Sequence, residues 1–96
     1  MHEMPAINDI DYSGLPEHMR DGIKLYVEEG IEPGDFAYAV LCNDLVGAYG
    51  RADSVNTARM RDWASFLYNE MPLDSWGSKQ AVDKWIAAHA ERRKSA

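Results

Sequence analysis

Large apolar side chains recur at helical spacing in four stretches of this chain, and proline or glycine divides each stretch from the next. In the first, Met19, Ile23, Tyr26 and Val27 form an i, i+4, i+7, i+8 stripe. Pro16 and Glu17 suit its positive end, and Gly30 is a natural stop. Past Pro33-Gly34, a helix over about residues 35–49 carries Phe36, Ala37, Val40, Leu41, Leu45, Ala48 and Tyr49. That set is wide enough to predict the most buried helix of the fold. Asp53 or Ser54 caps a third helix over about 54–71, lined by Met60, Trp63, Ala64, Leu67 and Met71 and ended by Pro72. Ser78 caps a fourth, with Ala81, Val82, Trp85, Ile86 and His89 inward and Arg92, Arg93 and Lys94 at its negative end.

No run of β-branched residues alternates with polar ones, so strands have no source. Helices of this length are marginal alone and need each other's apolar faces. The expectation is an all-α fold, a compact four-helix orthogonal bundle with an irregular N-terminal arm. The arm covers 1–14, where Ile7, Ile10 and Tyr12 can pin it to the helices, and a single helical domain covers 15–96. Ninety-six residues make one domain with a modest core, about 60–65% of the unfolded surface being buried.

Cys42, the only cysteine, precludes an internal disulfide. No apolar run nears the roughly 18 residues of a membrane span, and the first residues lack a basic-then-apolar leader pattern. A cytoplasmic protein is expected. Its charge is uneven. Residues 1–48 hold ten acids against two bases, residues 49–96 six acids against eight bases, and the net charge is −6. An acidic half repels nucleic acid and suits a basic protein partner. Glu17, Asp21 and Glu28 share one helical face, with Lys24 between them, and Glu32 and Asp35 follow just beyond. With Trp76, a turn residue suited to anchoring an interface, these are the candidate binding residues.

Catalytic chemistry finds little support. His2, His18 and His89 are far apart, with no zinc-type spacing, and Asp9 and Asp11 lack the rest of a calcium loop. Cys42 lies in an apolar run, where a thiol is inert. Neither metal nor cofactor is expected, and no enzymatic activity. Asn43-Asp44 interrupts the most apolar helix, and reads either as half of an internal ion pair with Arg51 or Arg59 or as a binding element. Trp63 and Trp85 have core spacing. Arg59, Arg61, Lys79 and Lys84 offer a small basic face. A DNA-reading helix over the third segment is disfavoured by Asp53, Asp62 and Glu70.

Several blocks in order resemble a group of small proteins of tailed phages and prophages. They are Leu15-Pro16-Glu17-His18-Met19, Pro33-Gly34-x-Phe36, Ala39-Val40-Leu41-x-Asn43-Asp44-Leu45, Arg51-Ala52-Asp53, Phe66-Leu67-Tyr68-Asn69-Glu70-x-Pro72 and Trp76-Gly77-Ser78 with Trp85. The chain departs from that pattern at Leu73-Asp74-Ser75, where a Ser-Gly-Cys-like turn is expected. The group brings no catalytic residues to transfer. The resemblance implies a phage accessory protein that binds host machinery stoichiometrically, as an inhibitor of a host defence complex in the manner of anti-CRISPR proteins. The alternative is a self-associating structural or regulatory module, since small helical domains often oligomerise to cover apolar surface.

Overall fold

A computed structural model of the chain describes residues 9–95. The first eight positions of the expected arm, with His2 and Ile7, lie outside the described residues. Among the described residues every regular element is helical: α1 (Glu17–Glu29), α2 (Asp35–Leu41), α3 (Leu45–Arg51), α4 (Ser54–Ala58), α5 (Met60–Glu70) and α6 (Lys79–Ser95), with a 3-10 turn at Leu73–Ser75. The radius of gyration, 12.9 Å, is that of a compact domain of this length.

Gly30 ends α1 in the left-handed conformation (φ 67°), its N–H donating to the Tyr26 carbonyl. Only glycine takes this backbone freely, and a second constraint acts on it: a Cβ here would lie 2.2 Å from Cβ of His89 on α6. Arg93 of α6 donates to the Glu29 carbonyl, so the basic end of α6 caps the exposed C-terminus of α1. Tyr26 binds α1 to both later elements. Its hydroxyl donates to the Ser75 carbonyl at 2.6 Å, and its carbonyl accepts from the Trp85 indole at 3.1 Å. Around it, Leu15, Ile23, Val27, Leu41, Trp63, Met71 and Val82 close the core, and Phe36 meets Trp63 edge-on at 5.3 Å.

The two central stretches are each divided. The helix expected over 35–49 breaks at Asn43, which adopts φ 64°, a conformation asparagine tolerates better than most residues. Asp44 then starts α3 afresh, its Oδ1 accepting the Gly47 N–H at 2.9 Å. An internal ion pair for Asp44 is therefore replaced by an exposed N-cap. Gly47 makes room for it, because a Cβ there would strike the Asp44 carboxylate. The most buried helix is α2 alone. In the α3 half, Leu45 and Tyr49, expected in the core, face outward. The helix expected over 54–71 turns at Arg59, between α4, capped by Asp53, and α5. Arg59 donates to Asp62 and to the Gly14 carbonyl, tying this bend to the arm. Beneath it, buried Asn56 accepts from the Trp63 indole at 3.1 Å.

Pro72 and Ser78 act as expected. Met71 turns extended before the proline, and the Ser78 hydroxyl accepts the Ala81 N–H. Among the described residues no helix is long and apolar enough to cross a membrane.

Candidate protein-binding surface

Because Ile23, Tyr26 and Val27 face the core, α1 turns its other side to solvent. Glu17, Asp21, Lys24 and Glu28 are all exposed there. At about 3.6 residues per turn the three acids fall within an arc of about 40°. None of them enters the ion pairs of the described residues, which join His18 to Asp53, Arg59 to Asp62, Lys79 to Asp83 and Lys94 to Glu91. Glu17 and Asp21, one turn apart, repel each other and weaken the helix by a few tenths of a kcal/mol.

Glu32 and Asp35 are brought to a different place. Both are exposed and line a cleft of about 600 Å³ with Tyr38, Cys42, Arg51 and Lys79. Asp35 begins α2, and its carboxylate lies 2.7 Å from the Phe36 N–H. Across the cleft the Tyr38 hydroxyl and the Lys79 ammonium both donate to Asp83, each at 2.6 Å. Asp83 is held below the usual carboxylate range by these two donors, and Lys79 is held well above its ordinary value by Asp83. A fully protonated lysine is no nucleophile. Burial pushes the neighbouring Cys42 thiol up, which lowers its thiolate fraction. The cluster fastens α6 to α2.

Trp76 is half-buried, closing the 3-10 turn against the core while part of the side chain remains accessible. Trp63 is a core residue. Trp85, expected inside, is only partly buried and meets the His89 ring at a tilt, centroids 4.9 Å apart. The basic face dissolves: Arg59 and Lys79 are consumed by Asp62 and Asp83. His18 pairs with Asp53 at 2.9 Å on the surface, beside Val55 and Arg59, with no serine or cysteine among the residues lining that hollow. Among the described residues no three His, Cys, Asp or Glu side chains gather as a metal ion would require.

An apolar cleft of about 360 Å³, which the helical periodicity did not foretell, opens between α3 and α5. Val40, Ala48 and Trp63 lie inside it and Leu45, Tyr49 and Met60 along it. Its signal in the sequence is Asn43-Asp44, a left-handed former followed by a cap, which marks a helix restart as well as it marks a buried charge.

The chain matches no protein-family model, no curated protein and no solved structure.

Proposed function

We propose that this is a non-catalytic binding protein whose acidic face on α1 engages a basic surface of another protein. The observation that carries the reading is the exposure of Glu17, Asp21 and Glu28 on one face, outside every ion pair of the described residues. A basic partner relieves the small repulsion between Glu17 and Asp21 and gains electrostatic steering from the three acids together. With the resemblance to phage accessory proteins, the reading extends to a stoichiometric inhibitor acting in the host cytoplasm. Its target is a host defence complex whose nucleic-acid channel presents arrays of Lys and Arg. Glu32, Asp35 and the accessible part of Trp76 extend the contact, on a domain whose four segments pack as an orthogonal bundle.

The test is affinity capture from host lysate with the wild-type chain and with Glu17→Lys/Asp21→Lys/Glu28→Lys, followed by titration of the purified partner. Exposed substitutions should leave Tm within a few degrees while weakening binding by about tenfold or more, and salt should weaken wild-type binding in the same direction. A partner bound equally well by the triple variant refutes the assignment.

A further inference from the structure

Of the seven residues of α3, Ala48 alone is buried, while Leu45, Val46 and Tyr49 are 66%, 82% and 49% exposed. A helix this short does not hold together in water by itself. Its side-chain hydrogen bonds, the Asp44 cap and the Arg51 guanidinium on the Gly47 carbonyl, are internal to the element, and Ala48 is the residue it buries against the fold. Three large apolar side chains on two turns exceed the scattered exposure normal for a soluble surface. Directly beside them lies the apolar cleft between α3 and α5. Its rim carries one acid and one base, Asp44 and Arg61. Asp44 is exposed and accepts the Gly47 N–H through Oδ1, and neither it nor exposed Arg61 enters an ion pair of the described residues.

A protruding apolar ridge, an apolar hollow and two opposite charges on one face are what a two-fold contact requires, since each feature must meet its complement on an identical surface. We propose that this face is the contact surface of a symmetric homodimer. Leu45 and Val46 of each copy enter the cleft of the other, and each Asp44 faces the partner's Arg61. The contact uses none of the acids of α1. A uniformly basic partner fits this face less well than a second copy does, because Arg61 would oppose it.

Sedimentation equilibrium on the intact chain from about 1 µM to about 1 mM brackets the affinity of a contact smaller than a standard interface. The mass should rise with concentration from 10.8 kDa towards twice that value. Val46→Asp should hold the chain monomeric without lowering Tm at dilutions where the wild-type chain is itself monomeric, because Val46 touches little of its own fold. Arg61→Glu should weaken dimerisation by about tenfold or more through repulsion from Asp44. Asp44→Asn in that background should recover part of the loss, since asparagine keeps the cap while removing the repelling charge. A monomer throughout the range overturns the proposal, as does a dimer indifferent to Val46→Asp and Arg61→Glu.

Discussion

Replacing Gly30 by alanine tests the junction on which α1 and α6 depend. Two penalties act at this one position. A Cβ in the left-handed conformation costs about 1–2 kcal/mol. The same Cβ would stand 2.2 Å from His89 Cβ, an atom fixed to the α6 backbone, and 2.6 Å from Cγ, so that a rotamer change can move the second contact and not the first. Overpacking of this kind costs about 1–3 kcal/mol. Together they remove about 2–5 kcal/mol from a domain whose total stability is about 5–15 kcal/mol. At about 4–8 °C per kcal/mol for this chain length, Tm falls by at least about 8 °C. Thermal melts followed by far-ultraviolet circular dichroism, with urea titrations for ΔG, measure it. A double-mutant cycle then separates the penalties. His89→Ala removes the Cγ contact but keeps the closer Cβ and gives little relief, whereas His89→Gly removes both and should return about 1–3 kcal/mol of coupling to Gly30→Ala. A Gly30→Ala protein within about 0.5 kcal/mol of wild type, or equal coupling to both His89 variants, refutes the reasoning.

Asn56→Ala strands the buried Trp63 indole N–H and should cost about 1–3 kcal/mol by urea titration, accompanied by a shift in tryptophan emission. Asp44→Ala removes the α3 cap and should cost about 1 kcal/mol, while Asp44→Ser recovers most of it. Asp11, Asp53 and Asp83 are all held below the usual aspartate range, chiefly by the Ser13 bonds, the Asn56 N–H and Lys79 respectively. The folded state therefore binds fewer protons than the unfolded one at acid pH. This stabilisation is complete above about pH 4 and lost as pH falls further, so the urea midpoint should drop below about pH 4 and drop less in Asp83→Asn.

Residues whose role is set by their neighbours along the chain were legible in the sequence. Gly30 stops α1, Asp53 and Ser78 cap, Pro72 terminates, and Tyr26, Trp63 and Val82 are buried as their spacing predicts. Residues whose role depends on a distant element were not. Ser75 is buried because its carbonyl receives the Tyr26 hydroxyl, 49 positions away, and Asn56 because the bend at Arg59 places it against Trp63. Nothing in the composition of either neighbourhood marks these polar side chains as interior. The acids of α1 were legible as a face, but Glu32 and Asp35 were not legible as cleft residues, since Tyr38 and Lys79 reach that cleft from α2 and α6, joined through Asp83.

The break at Asn43 has the largest consequence, because it redirects a whole apolar pattern. On one continuous helix, Leu45 and Tyr49 would extend the stripe of Phe36, Val40 and Leu41 and would be buried with it. The left-handed residue and the Asp44 cap turn α3 onto a new axis, so the same spacing now points outward. Periodicity reports which residues share a face, and only the axis decides what that face meets. An apolar face rotated out of the core has lost its intramolecular partner while keeping its hydrophobicity, and its burial remains worth about 25 cal/mol per Å² to whatever covers it. That residual free energy is the physical basis for expecting Val46→Asp to abolish self-association while leaving the fold intact. If the variant unfolds instead, α3 was packed by its own chain after all, and the outward assignment of the ridge is wrong.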